Sequence, residues 1–489
     1  MLFNSFSFLV FLPIVVLVYY GIPNRVRYIW LLLASYYFYM NWNAKYALLL
    51  FLSTFITYAC GICIHRIDEK DLSLAVRRKK ICVAAGVAAN LAILAFFKYF
   101  NFFVDNLNVI FGNRIGHFDV LLPVGISFYI FQALGYLVDV YRGEIKAEKN
   151  FLKYALFVSF FPQLVAGPIE RSKNLLEQIN QTQKFDFEKM RDGIFLMVWG
   201  YFLKLVIADR IAIFVNTVYG DIDTFGGSYL IVATALFAIQ IYCDFAGYSV
   251  IAMGTARLLG FSLMENFAAP YLSSSVTEFW RRWHISLSSW FKDYLYIPLG
   301  GNRKGKIQKY RNILLVFLLS GLWHGASWTY VIWGGLNGVY QVLEDILKRG
   351  TNAHSKGSFV KTIAGKLLKM GITFILVDFT WIFFRAENIR QAFDAIKSML
   401  MVHNLGDILS SSLFDAGLSK RNLLILFAAL CILLLADICK YNNICVRAVI
   451  QKQNYFVRTI VLIASILFIF IFGIWGSGYD AAGFIYFQF

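Results

Sequence analysis

The chain is 489 residues long, 59% hydrophobic and 15% charged, with a mean hydropathy of +0.61. A soluble protein of this length cannot hide so much apolar surface, so the composition excludes that class and predicts an integral membrane protein. The formal net charge of +17 would suggest nucleic acid in a soluble chain. Here the basic residues sit in loops between apolar runs, the pattern of cytosolic loops facing anionic membrane lipid, and no nucleic-acid partner is expected.

Apolar runs of about the ~20 residues that cross ~30 Å of hydrocarbon recur along the chain. They fall at 6–21, 28–42, 46–64, 81–97, 119–138, 151–166, 194–216, 228–247, 312–345 (one segment or two), 366–384, 422–440 and 458–476. The spacing predicts an all-α membrane protein of roughly 11–13 transmembrane or re-entrant helices, without the alternation of a β-barrel. No Lys or Arg precedes Arg25, so the first run reads as a retained span rather than a cleaved leader. Arg25 and Arg27 then favour an external N-terminus and a cytosolic loop at 65–80. The basic stretch 171–191 would fall outside in that scheme unless 119–138 or 151–166, both proline-bearing, dips into the membrane without crossing.

Cys60 and Cys63 in "CGIC" lie near His65, but no second Cys/His pair with ligand spacing follows. They read as apolar membrane cysteines, and no metal is expected. No Walker loop, HExxH or GxSxG occurs. With no linker long or polar enough to divide it, 1–489 reads as a single polytopic membrane domain.

The informative region is 270–335. "SSSVTEFWRRWHISLSSWFKDYLYIPLGGNRKGK" opens with Ser275-x-x-Glu278, a capping box for a helix beginning near 276. Trp280, Trp283 with His284, Leu287, Phe291 and Tyr294 recur at three- and four-residue steps and make one aromatic face. Arg281, Arg282, Ser288, Ser289 and Lys292 fill the rest, which suits an interfacial or re-entrant helix. Pro298 and Gly300–Gly301 end it. Arg303, Lys304, Lys306, Lys309 and Arg311 follow with no acid among them, the clearest cytosolic marker in the chain.

A new apolar run starts at Asn312, and "SGLWHGASW" places His324 within it, ~18 Å deep at ~1.5 Å per residue. Gly321, Gly325 and Ala326 allow close backbone approach there, and Ser320 and Ser327 add small polar groups. His284 and His324 are the only histidines in strongly aromatic, membrane-associated segments. On spacing alone they are equally readable as core histidines bonded to neighbouring helices or as a functional pair. Lys204, Asp209, Arg210 and Asp378 also lie in apolar runs, and internal pairing is expected for them.

"EFWRRWHISLSSWFKDYLYIPLGGNR" followed by "GLWHGASWTYVIWGGLNG" closely resembles the membrane-bound O-acyltransferase (MBOAT) family. The branch it resembles is the bacterial alginate O-acetylation type, a relative of the teichoic-acid D-alanylation membrane protein. "FFPQLVAGPIER" (160–171), "YCDFAGYSVIAMGTARLLGF" (242–261), "NFAAPY" (266–271) and "WIFFRAEN" (381–388) extend the match to about 120–390. The resemblance implies the MBOAT fold around a central tunnel, with the donor side cytosolic and the acceptor side extracytoplasmic. It places His324 at the family's essential histidine and His284 at the second active-site position. Trp283, Trp323, Asp244, Ser288 and Asn302 are the candidates for lining that tunnel or touching substrate. The helix break at Gly167 and Pro168 in "AGPIER" is expected near the donor route.

Acyl transfer from a thioester to a hydroxyl needs a base, and a neutral imidazole with an unperturbed pKa of ~6.5 can serve. Burial favours the neutral ring. His324 is therefore expected to be the general base, with His284 orienting it, relaying a proton or polarising the thioester carbonyl. No serine or cysteine nucleophile beside a base is evident, so direct transfer is expected.

No bound cofactor is expected; acetyl-CoA is the expected acyl donor, a substrate on the cytosolic side. The remaining partners are membrane lipid and an extracytoplasmic protein that accepts the acyl group or completes its transfer. The resemblance thus implies a multi-pass protein of the bacterial inner (plasma) membrane that O-acetylates extracellular or cell-wall polysaccharide. D-alanyl transfer to teichoic acid is the alternative within the family. A proton-coupled secondary transporter is the rival class, but no second "WHxS" or "LWHGA" marks a paired half.

Overall fold

The computed structural model describes residues 1–67, 71–112, 115–118, 122–350, 362–401, 416–474 and 485, and these are mostly helical with no strand among them. Each predicted apolar run contains helix among its described residues, because in a membrane each backbone N–H and C=O must be satisfied within its own segment. Among the described residues, six helices are long and apolar enough to cross a bilayer. They are Lys45–Arg66, Leu72–Phe111, Gly227–Leu258, Ile363–Arg385, Lys420–Tyr441 and Tyr455–Phe472. Phe6–Gly21 and Ile126–Tyr141 are apolar but shorter.

Several boundaries differ from those the hydropathy predicts. The 81–97 run lies inside a helical stretch from Leu72 to Phe111, with one wide π turn at Ala95–Tyr99. The 312–345 run resolves into two helices, Lys306–His324 and Trp328–Gly350. The 151–166 run is broken at Phe160 into Phe151–Ser159 and Phe161–Leu164. Nine helical residues rise only ~14 Å, too little to cross ~30 Å of hydrocarbon. Of the two proline-bearing segments suspected of dipping without crossing, this one has the shorter helices.

The fold separates into two compact units, each drawing on more than one stretch of the chain. The first comprises Met1–Met197 and Tyr248–Met264. Its helices approach closely where side chains are small: a methyl on Gly86 would lie 2.6 Å from the Leu137 side chain. Buried polar pairs hold them in register, with Tyr154 donating to Thr57 (2.7 Å) and Ser172 to Asp139 (2.6 Å). The "AGPIER" segment lies here as a loop after Leu164, and the buried Glu170 accepts hydrogen bonds from Met264 N and Asn174 Nδ2.

The second unit comprises Val198–Gly247 and the described residues from Glu265 onward. Lys204, on a π turn at Phe202–Ala208, bonds to Asp209 (2.8 Å) and Asp244 (2.6 Å). Arg210 donates to the carbonyls of Val206 and Phe472, both at 2.6 Å. The internal pairing expected of Lys204, Asp209 and Arg210 is thus met. Asp378 differs, since its Oδ1 is buried and has no hydrogen-bond partner among the described residues. Lys420–Tyr441 and Tyr455–Phe472 expose Leu424, Phe427, Leu435, Ile463 and Phe470, the outward apolar surface of helices solvated by lipid.

Candidate active site

Both candidate histidines belong to the second unit. The Ser275 hydroxyl caps the first helix by accepting from Glu278 N (3.1 Å). The Glu278 carboxylate reaches back to Ser274 N and Oγ (2.9 and 2.8 Å), one residue beyond the expected box. The predicted face is buried at Trp280, Trp283, His284, Leu287 and Phe291 and half-buried at Tyr294, while Arg281 and Lys292 are exposed.

The helix that spacing predicts to continue through this face is interrupted. It runs Val276–Arg282, stops, and restarts as Ile285–Phe291 before a π turn at Lys292–Tyr296. His284 occupies the break in the left-handed region, φ +43° and ψ +55°. Few residues other than glycine, asparagine and aspartate adopt that region without cost, and histidine is among the few that do so more often than most.

A strap from "NFAAPY" replaces the lost helical bonds. Ile285 N donates to Asn266 O (2.9 Å), and Ser286 N and Oγ donate to Asn266 Oδ1 (3.3 and 2.6 Å). Ala268 N donates to Arg282 O, and Arg282 Nη1 returns a bond to Ala268 O, both at 3.0 Å. The backbone is satisfied by a neighbouring segment, so the His284 ring is turned inward without leaving buried amides unpaired.

His324 is the last residue of Lys306–His324, and Gly325 continues in an extended conformation. Trp328–Gly350 folds back against this helix at backbone distance. A methyl on Gly321 would lie 2.2 Å from Tyr330 O, and one on Gly334 2.3 Å from Phe317 O. The glycines expected to permit close approach at 321 and 325 do so, and Gly334 completes the contact. At the other end Asn312, fully buried, donates to Leu299 O and Gly301 O, tying the Gly300–Gly301 turn to the helix.

The two imidazoles lie 6.4 Å apart, centroid to centroid, in an aromatic enclosure. His284 meets Phe245 edge-on at 4.7 Å and Trp323 at 6.0 Å. Around His324 stand Trp323 and Trp333, both at 5.0 Å, and Phe384 at 5.5 Å. Trp283 stacks on Phe279 and packs on Trp381 (5.1 Å), which in turn lies 5.7 Å from Trp333. With each histidine at most 4% exposed, reacting groups here would be shielded from water, where charge–dipole interactions are strengthened.

The other sequence candidates divide. Trp283 and Trp323 join the enclosure. Ser288 lies behind it, its hydroxyl 3.3 Å from Trp283 O. Asp244 is taken up by Lys204 and by Ile485 N (2.9 Å), and its neighbour Phe245 is the residue that meets His284. Asn302 is exposed on the basic turn and does not join the histidines. Sequence reasoning missed Asn266, Trp333, Asn337, Trp381 and Phe384. Asn337 carried a signal, a lone amide in an apolar run: it accepts from Trp280 Nε1 (3.2 Å) and donates to Trp333 O (2.8 Å) and Thr380 Oγ1 (3.2 Å).

Residues 144–376 match the model of the membrane-bound O-acyltransferase family. The chain is 41% identical over 456 residues to the "Probable alginate O-acetylase AlgI" of Pseudomonas putida, covering 91% of this chain and 89% of the relative. It is 35% identical over 432 residues to the peptidoglycan O-acetyltransferase of Helicobacter pylori, covering 82% and 80%. The teichoic acid D-alanyltransferase of Bacillus subtilis is 30% identical over 229 residues, covering 43% and 56%.

Proposed function

Because this chain belongs to the membrane-bound O-acyltransferase family, and is therefore a membrane acyltransferase, we propose that it moves an acetyl group from a cytosolic thioester, acetyl-CoA, to a hydroxyl destined for an extracellular or cell-wall polysaccharide. The observation that carries this reading is the pair of buried imidazoles 6.4 Å apart in an aromatic enclosure. Acetyl is favoured over D-alanyl because O-acetylating relatives match 82–91% of the chain at 35–41% identity, whereas teichoic acid D-alanyltransferases match 43–53% of it at 27–30%.

In the proposed chemistry His324 accepts the hydroxyl proton as the acceptor oxygen bonds to the thioester carbonyl carbon. The carbonyl π pair moves onto its oxygen, giving a tetrahedral oxyanion. The pair returns, the carbon–sulfur bond breaks, and the departing thiolate takes the proton from the imidazolium. Acceptor ester and free thiol are the products, and the base is restored. His284, whose neighbour Ser286 is held by the Asn266 strap, would orient His324, relay that proton or polarise the thioester carbonyl.

The enzyme is proposed to be a multi-pass protein of the bacterial inner membrane, with the basic turn at 302–311 on the donor side. It would hand the acetyl group to an extracytoplasmic protein that finishes the modification. Purified protein given radiolabelled acetyl-CoA should transfer label to a hydroxyl acceptor, with a D-alanyl thioester as the comparison donor. His324→Ala should abolish transfer by ~10²–10⁴-fold while leaving an extractable protein. Near-normal turnover by that variant would sink the assignment of the base.

A further inference from the structure

Two neighbouring indoles, 5.6 Å apart, are treated differently by the fold. Trp280 Nε1 donates to Asn337 Oδ1 at 3.2 Å. Trp333 Nε1, on a side chain only 1% exposed, has no hydrogen-bond partner among the described residues. Buried donors without acceptors are rare in folded proteins, and a retained one calls for an explanation.

The Trp333 ring is held in place rather than loosely packed. Its carbonyl accepts from Asn337 Nδ2, and the adjoining Gly334 lies against the Phe317 backbone. Its ring is boxed by Trp280 (5.6 Å), Trp381 (5.7 Å) and Phe384 (5.1 Å). The His324 imidazole lies 5.0 Å from it at 89°. The Trp381 indole differs: it has the Tyr271 hydroxyl as a hydrogen-bonding neighbour, and it contacts Trp283, Trp333 and Phe384 and neither histidine.

We propose that Trp333 Nε1–H is a catalytic hydrogen-bond donor to the acyl carbonyl oxygen, holding the thioester beside His324 and stabilising the oxyanion as it forms. This rests on the acyl-transfer reading above. As the acceptor oxygen bonds to the carbonyl carbon and its proton passes to His324, negative charge grows on the carbonyl oxygen. A fixed donor in a water-poor site meets that charge without having to reorganise. An indole suits the task because it only donates: it cannot compete with His324 for the proton. The donor left unpaired in the protein alone is then paired when the thioester enters.

Trp333→Phe removes the N–H and keeps an aromatic ring. Replacing Trp333 by its sulfur isostere, β-(3-benzothienyl)alanine, removes the N–H with shape retained, so a packing defect in the phenylalanine variant does not obscure the result. Both should lower kcat by ~10²–10³-fold, the typical cost of one lost oxyanion donor, with KM within about threefold of the parent. The second readout is the carbonyl stretch of ¹³C-carbonyl acetyl-CoA bound to His324→Ala protein. It should lie below its frequency in buffer and return toward that value when Trp333→Phe is added. A benzothienyl variant with kcat within threefold of the parent, or an unmoved carbonyl band, overturns the donor role. If His324→Ala itself retains transfer, the acyl-transfer reading fails instead, and the two failures are thereby distinguished.

Discussion

His284 is one of three non-glycine residues with positive φ among the described residues, and it is the one that faces the other histidine. An α-helix through this position would keep 276–291 continuous, as the three- and four-residue spacing predicts, but the Asn266 strap holds the chain open instead. Substitution must therefore satisfy a backbone requirement as well as a chemical one. Asparagine adopts the left-handed region readily, whereas alanine there costs roughly 1 kcal/mol. His284→Asn is expected to keep part of the acyl-transfer activity and the thermal stability of the parent. His284→Ala should lose more of both, though less activity than His324→Ala. Turnover and unfolding temperature measured side by side check this, and an alanine variant at least as active as the asparagine one would remove the backbone argument.

At the scale of elements, the site depends on two helices meeting at backbone contact. A methyl on Gly334 would lie 2.3 Å from Phe317 O, a main-chain atom that cannot swing aside, whereas one on Gly335 would sit 3.5 Å from the Leu318 side chain. Gly334→Ala should force the pair apart at a cost of at least ~1–3 kcal/mol, and Gly335→Ala should be neutral or better because alanine favours helix. In detergent, the first variant should aggregate several degrees below the parent and the second should not. Equal midpoints for all three proteins would contradict the packing. The turn that leads into this pair carries its own test. Asn302 is exposed among Arg303, Lys304 and Lys306, and its neighbour Lys309 is paired with Asp345 at 2.7 Å. A cysteine placed at Asn302 in a cysteine-free background should resist an impermeant thiol reagent in intact cells. Ready labelling from outside would reverse the donor side.

For the whole molecule, the question is where a polymer acceptor could be held. Recognition of a polymer calls for a concave polar surface; the longest interval between the apolar runs, 248–311 (64 residues), is taken up by the helices and the Asn266 strap that hold His284, and the next, 385–421, is 37 residues, short of the ~50 that a domain needs. Its described residues, 385–401 and 416–421, include the amphipathic helix Ile389–Leu400, with Ala392 and Ala395 buried; 402–415 lie outside the described residues. The chain is thus expected to act as the membrane half of a relay. Given acetyl-CoA and polysaccharide alone, purified protein should hydrolyse the donor slowly and decorate little polymer. Addition of an extracytoplasmic partner protein should restore polymer acetylation, and efficient acetylation without one would show the relay to be unnecessary.

The sequence by itself determined the all-α membrane class, the approximate positions of the spans, the basic turn and the two histidines. Those properties are local: an apolar run of sufficient length, a cluster of Lys and Arg, or a titratable ring in a greasy segment is legible without knowing what packs against it. Tertiary structure decided the rest. The break at His284 depends on Asn266, far back along the chain from Ser286 yet hydrogen-bonded to it, so no periodicity within 276–291 records it. Trp333, Trp381 and Phe384 look like any other aromatic residues of apolar helices until the fold sets Trp333 and Phe384 against His324 and Trp381 behind Trp333. Asp244 and Asn302 were singled out for their polarity, but polarity does not say which neighbour will claim a side chain. A buried ammonium took the first, and solvent the second, because desolvated charge seeks its opposite and an exposed amide is already satisfied by water.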